Sequence, residues 1–336
     1  MTVLPSRQAG GELPTTEGFG SRFAALFDAV TANMAQVVQG KMEPIEMALI
    51  CLLGEGHLLI EDVPGVGKTS LAKSLAASID CSWKRVQFTP DLLPADLVGV
   101  SIYERSTERF RFQHGPLFAN IVLADEINRA SPKTQAAMLE VMEERHITVD
   151  GDTHAVPRPF MVIATQNPVE QEGTYPLPEA QLDRFLLRTS LGYPSLADEI
   201  TAVRSVTDGV TAEQLDSAVD ADTLRRMMAG ATAVHVDDSI VAYAVSLAAA
   251  SRALTELRLG ASTRGALALI RASRALAATQ GRSFVTVDDV KALAPAALSH
   301  RLLLKPESEL RGVSTLDLVD RLMDTVEAPA AVRTAP

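Results

Sequence analysis

Gly65, Gly67, Lys68 and Thr69 stand close together in the run Asp62-Val-Pro-Gly-Val-Gly-Lys-Thr-Ser70, a combination suited to holding polyphosphate. Glycines let a backbone approach a ligand and take positive φ. Backbone N–H groups of such a loop, and of a helix opening after it, converge on one anion that the helix dipole also favours. Lys68 would place a cation on the β- and γ-phosphates of a nucleotide, and Thr69 Oγ1 would hold Mg²⁺. Pro64, Val66 and Ser70 complete the wrapping stretch. The elements needed to position it are present in order. Leu58 to Ile60 is an apolar run, and Leu71, Ala72, Leu75 and Ala76 recur at helical spacing. The strict pattern has a further glycine six residues before the lysine, where Asp62 stands. That position lies at the loop's entry, away from the phosphates, so the departure is discounted. A Gly-Pro turn with a surface Lys-Thr is the bland alternative, and the flanking strand and helix disfavour it.

Hydrolysis needs more than a cradle. Residues 121–126 read Ile-Val-Leu-Ala-Asp-Glu, an apolar run of the kind buried on both faces of a parallel sheet. Two carboxylates at its end fall at the carboxyl edge, where open α/β sheets bind ligands. Asp125 would enter the Mg²⁺ shell, and Glu126 would orient and deprotonate the attacking water. Alone, the run fits equally a strand ending in a solvated acidic turn; the phosphate loop upstream decides against that. A third run, Phe160 to Thr165, ends in Gln166-Asn167-Pro168. A polar residue there could reach the water or the γ-phosphate, and Asn-Pro is equally a strand-ending turn. These residues alone leave both open.

The scaffold divides in composition. Residues 1–20 form a segment rich in Gly, Pro and Thr, expected to be loose, with helical spacing beginning at Ser21 (Phe23, Leu26, Phe27, Val30) and running to about Val38. A second helix over 43–53 leads into the strand before the loop, and a short strand is expected at 84–88. Alternation at 100–113 predicts a β-hairpin, and Asp150-Gly151 predicts a second over 146–157. From about residue 194 strand signals nearly vanish. Helices are expected over 195–206, 221–229, 239–257, 262–278 and 287–304, with Pro295 interrupting the last and Thr286 and Asp289 forming a capping box. The expected division is therefore a doubly wound α/β core over 21–193, an all-helical lid over 194–326 and a loose tail over 327–336. Ser262 reads as an N-cap and places Arg264 in the first turn of its helix. A cation there opposes the dipole and invites an anionic partner, though an ordinary surface arginine is the simpler reading.

The balance of the composition narrows the function classes. A net charge of −11 argues against a generally nucleic-acid-coating surface. Cys51 and Cys81 fit no metal spacing and suit a reducing compartment; Cys51 lies in an apolar pattern and reads as core. No leader pattern and no apolar run of about 20 residues is present, so the expected location is cytoplasmic, without membrane insertion.

Together these segments resemble the MoxR family of AAA+ ATPases, in the branch with a hairpin inserted in helix 2. The resemblance covers roughly residues 30–305. It rests on Val63 to Thr69, Phe88 to Asp96, His114-Gly-Pro116, Ala124 to Ala130, Ala164 to Pro168 and the long stretch Glu170 to Phe185. Two departures are visible. Gly40-Lys41 stands where the family usually has Gly-Gln after a valine pair, which leaves the adenine contact open. Thr263 stands where the family often has Pro, which keeps Arg264 in place. The resemblance implies that Asn167 is sensor 1, Arg264 sensor 2, and Arg184 an arginine finger reaching a neighbour's ATP, with Arg188 as fallback. A finger implies a homo-oligomer, typically a hexameric ring. It also implies ATP and Mg²⁺, and a protein client, often with von Willebrand A-domain partners.

Three function classes follow: an ATPase motor remodelling a protein client, an ATP-gated scaffold, and a nucleic-acid motor. An intact Glu126 and a finger candidate favour the first over the second. The hairpin tips, Arg105-Ser-Thr-Glu108 and Asp150-Gly-Asp152, are mixed or acidic and do not suit a phosphate backbone.

Overall fold

The computed structural model describes residues 16–167, 174–207, 209 and 211–329. Its centre is a five-stranded parallel sheet in the order β2-β5-β8-β1-β9. The strands are β1 (Leu58–Glu61), β2 (Trp83–Gln87), β5 (Ile121–Asp125), β8 (Met161–Gln166) and β9 (Leu187–Thr189). Their apolar runs are continuous because successive side chains point to opposite faces and both faces are covered. Leu58, Ile60, Ile121, Leu123, Met161 and Ile163 join one apolar cluster, whereas Leu59, Val122, Ala124, Val162 and Ala164 join the other. The first cluster takes in the helices α1 (Thr16–Ala35), α2 (Met42–Leu53) and α3 (Lys68–Ser78); the second takes in α4 (Pro94–Val98) and α5 (Pro132–Glu144).

Two antiparallel hairpins leave this core: β3 (Gly99–Glu104) with β4 (Arg109–His114), and β6 (His146–Val149) with β7 (Asp152–Ala155). Asp150 and Gly151 turn the second with φ of 53° and 90°, as a two-residue loop with both φ positive requires. The hairpins touch where Phe112 stacks on His154 at 4.4 Å, and His114 stacks at 4.1 Å on Phe118 in the turn after β4.

Beyond β9 the described residues form mainly helices, with a short ribbon, β10 (Leu257–Leu259) with β11 (Leu303–Leu304), and an isolated bridge between His235 and Phe284. A four-residue helix α6 (Glu179–Leu182) precedes β9, and the later helices are α7 (Leu196–Thr207), α8 (Ala221–Ala233), α9 (Asp238–Ser251), α10 (Thr263–Thr279), α11 (Val287–Leu298), α12 (Pro306–Leu310) and α13 (Thr315–Thr325). With few aromatics, α10 packs by small residues: Gly265, Ala266, Ala268, Ala272, Ala275 and Ala278 are buried against α8, α9 and α11, and α10 also meets α1 and α2.

Several boundaries differ from the sequence expectation; α8, for one, runs on to Ala233 rather than ending at residue 229. Helix α1 opens at Thr16 rather than Ser21 and runs through Gly20, where a Cβ would lie 2.3 Å from the Gly281 carbonyl oxygen, so the glycine serves a close approach. Helix α9 stops at Ser251, not Leu257, because Ser251 Oγ accepts from Ala261 N–H and Arg252 Nε donates to the Ala261 carbonyl, turning the chain back. Helix α11 ends at Leu298, shortly after Pro295. The expected capping box forms: Asp289 accepts from the Thr286 N–H at 2.7 Å. The segments 1–15, 168–173 and 330–336 lie outside the described residues, as does the start of the Glu170–Phe185 stretch.

Candidate active site

The loop after β1 turns with φ of 85° at Gly65 and 99° at Gly67, and α3 begins at Lys68. A Cβ at Gly65 would meet nothing within 4 Å, so the loop's concave side is open. Gly65, Val66, Gly67, Thr69 and Ser70 line a cavity of about 430 Å³, within the ~300–1,000 Å³ range of ligand pockets. Pro64 is exposed beside it. Lys68 is buried and donates from Nζ to the Asp62 carbonyl at 2.7 Å. The cavity continues past Val37, Val38, Gln39 and Lys41 to Tyr193 and Val203, an apolar and polar wall suited to a nucleobase. Lys41 Nζ donates to the Tyr193 carbonyl at 2.8 Å, so the Gly40-Lys41 departure ties the base side to the segment before α7.

The carboxylates stand where the strand register puts them. Asp125 ends β5 opposite Gln87, and Glu126 follows in the left-handed region, φ 57°. A non-glycine residue there is strained, and such strain clusters at active sites. Asp125 Oδ1 accepts from Thr165 Oγ1 at 2.7 Å, and Thr165 accepts the Glu126 N–H at 2.8 Å, so β8 fixes both acids. Asn167 is buried just beyond the end of β8, next to β1 and β5 on the same edge. The oxygens of Thr69 and Asp125 are hard donors of the kind Mg²⁺ takes. The open glycine loop and these donors fit a magnesium–nucleotide, and these residues would hold it.

Arg184 and Arg264 are elsewhere. Arg184 precedes β9, at the edge where the parallel strands begin, while the phosphate loop follows their other end. Arg184 donates to the Leu139 carbonyl at 2.6 Å and pairs with Glu143 at 3.0 Å. Arg264, capped at its N–H by Ser262 Oγ, also pairs with Glu143, which is the anionic partner its helix position invited. Both line a second cavity of about 300 Å³ with Asp183, Arg145, Arg271 and Arg301. Arg188, inside β9, pairs with Glu61 at 2.8 Å on its own subunit.

Known proteins carry the same plan. The model of the ATPase family associated with various cellular activities (AAA) matches residues 57–187, and an AAA lid domain matches 249–322. An uncharacterised protein of Bacillus subtilis, YeaC, is 45% identical over 90% of this chain and 95% of its own length. The chaperone MoxR1 of Mycobacterium tuberculosis is 39% identical over 93% of this chain and 85% of its own. The chain belongs to the MoxR family of AAA+ ATPases. A solved structure of a candidate ATPase from Cytophaga hutchinsonii superposes with a TM-score of 0.87 at 36% identity, over 94% of this chain and 98% of that one.

In this MoxR-family chain several side chains that spacing did not single out touch the assigned ones. Arg85 donates to Asp125 at 2.7 Å and to Gln87 Oε1 at 2.7 Å, and Gln87 Nε2 donates to Glu126 at 2.7 Å. Arg129 Nε pairs with Glu126 at 3.0 Å. Arg85 and Gln87 alternate on β2, so knowing that β2 flanks β5 would have found them; alternation alone does not give the neighbour. Asp62, discounted as a missing glycine, accepts the Leu191 and Gly192 N–H groups, both at 2.6 Å, and anchors the loop to the exit of β9. Neither cysteine joins this chemistry: burial pushes the Cys51 thiol up to about 12. Among the described residues no helix is long and apolar enough to cross a membrane.

Proposed function

We propose that this chain hydrolyses ATP with Mg²⁺ as one subunit of a homo-oligomeric ring, and that turnover drives remodelling or maturation of a protein complex. The observation carrying this reading is the split between the sheet's edges. Loop, Asp125, Glu126 and Asn167 stand at one edge, and Arg184 with Arg264 at the other. Strand β1 alone, four residues at about 3.3 Å each, separates the two edges by roughly 13 Å. An arginine side chain does not bridge that distance inside its own subunit, so both arginines are read as serving a neighbour's nucleotide. Arg188, inside β9 and less exposed than Arg184, is the weaker finger.

Within a site, Lys68 and the loop amides bind and orient the triphosphate. Thr69 and Asp125 would hold Mg²⁺, which would supply charge neutralisation for the phosphates. Glu126 takes a proton from the attacking water, and Asn167 helps place that water. Arg184 of the next subunit faces the charge that develops on the transferring phosphoryl group. MoxR1's name as a chaperone supports a protein client, and a partner bearing a von Willebrand A domain is the expected kind. The β3–β4 hairpin supports client contact: Val100, Ile102, Tyr103 and Phe110 are exposed on it.

Mixing tests the arrangement. Arg184→Ala subunits keep Lys68, and Lys68→Ala subunits keep the finger, so mixed rings contain composite sites with both. Turnover above the sum of the separate variants is expected. No recovery in rings shown to contain both variants would overturn the role of Arg184 across an interface and point to Arg188 or to action within one subunit.

A further inference from the structure

Five arginines line the second cavity, and they are held in two different ways. Arg145 donates to the Phe160 and Glu55 carbonyls, Arg271 to the Gly54 and Glu55 carbonyls, and Arg301 to Asp183 and the Phe185 carbonyl. Backbone carbonyls hold all three, with the Asp183 carboxylate as a further partner of Arg301. Arg184 and Arg264, 29% and 48% exposed in their side chains, instead share one carboxylate, Glu143: Oε2 faces Arg184 and Oε1 faces Arg264. The three residues come from three elements. Glu143 is in the last turn of α5, Arg184 between α6 and β9, and Arg264 in the first turn of α10.

We propose that Glu143 is a positioning residue that yokes Arg184 and Arg264 into one double-guanidinium unit presented to the neighbouring subunit's triphosphate. This rests on the trans reading of Arg184 given above. Energy is not the reason for the arrangement, since solvent screening leaves exposed ion pairs little net stabilisation. Direction is. Helix α5 holds the Arg184 fork at two points, the Leu139 carbonyl and Glu143, while Arg184 Nε has no partner. Without Glu143 a single carbonyl holds the fork, and two like charges that had a carboxylate between them repel. Asp183 is no substitute, because Arg301 and Ser262 already occupy it. A reacting group displaced by about 1 Å can cost on the order of 10²-fold in rate.

The test is steady-state ATPase at saturating ATP in assembled protein, with oligomer size checked by light scattering. Glu143→Ala should lower kcat by roughly 10- to 100-fold and leave KM and the equilibrium affinity for ATP within about twofold. Glu143→Gln keeps one acceptor oxygen and should fall between. The deciding measurement is a double-mutant cycle. In an Arg184→Ala background, Glu143→Ala should add little further loss. Full additivity there, loss of assembly in Glu143→Ala, or wild-type turnover by Glu143→Ala while Arg184→Ala is slow would each overturn the role given to Glu143. Wild-type turnover by Arg184→Ala would instead overturn the trans reading itself.

Discussion

Replacing Asp62 by glycine restores the strict phosphate-loop pattern, and it should weaken the protein. Asp62 has no positive φ, so its backbone does not call for glycine. Its carboxylate accepts the Leu191 and Gly192 N–H groups at 2.6 Å each and its own neighbour Val63 N–H at 2.8 Å. Removing one partner of a buried hydrogen bond costs about 1–3 kcal/mol. The buried Leu191 N–H takes a cost in the middle of that range; the Gly192 N–H, partly reachable by water, sits at its low end. Glycine adds roughly 0.5–1 kcal/mol through the freedom it gives the unfolded chain. The expected loss is about 3–4 kcal/mol, read as a shift of the urea midpoint without change of slope. Asp62→Asn, which keeps size and one acceptor, should lose about half as much. Asp62→Gly unfolding at the wild-type midpoint would refute the anchoring role and return Asp62 to a tolerated departure.

Other outcomes follow from the same geometry. Lys68→Ala should abolish tight ATP binding, and unchanged affinity by calorimetry would misplace the nucleotide. Glu126→Gln should bind ATP yet not turn it over; wild-type rates would exclude Glu126 as the base. Shortening residues 104–109 to an Asn-Gly turn should spare fold and basal turnover while reducing stimulation by a client, and joint collapse of assembly and basal turnover would make the hairpin structural. Burial pushes His57 down to about 3, with its Nδ1 accepting the Val162 N–H. The fold therefore holds His57 neutral, and stability falls as pH drops below the unfolded value near 6.5. The loss is about 2 kcal/mol by pH 5. His57→Gln should show a shallower decline in urea midpoint between pH 7.5 and 5, and an unchanged slope would place the acid sensitivity elsewhere.

The strands β1, β5 and β8 were legible because burial on two faces leaves an unbroken apolar run, and the loop because glycine, lysine and threonine each have a local job. Asp125 and Glu126 follow from standing at a strand's end. Local reasoning fails where partners come from distant segments. Nothing near Glu143 announces that it faces Arg184 and Arg264, and Gln87 reaches Glu126 only because β2 lies beside β5. The start of α1 likewise depends on a distant segment. Gly20 serves Gly281, more than 200 residues away, and not a turn of its own.

Phosphate loop and Arg184 occupy opposite edges of one sheet, and on the proposed reading that Arg184 serves a neighbour's nucleotide this restricts the symmetry of any working assembly. A two-fold axis sets a surface against its own copy. A symmetric pair meeting at the loop edge would place loop on loop, with both arginines pointing outward. Only a head-to-tail repeat lays one edge on the other, and such a repeat has a bare loop at one end and a bare arginine pair at the other until it closes. Closure by pure rotation completes every site. A rise along the axis gives an open spiral instead, whose terminal loop can hold nucleotide but meets no guanidinium, so the pitch of the assembly alone decides whether every subunit can fire.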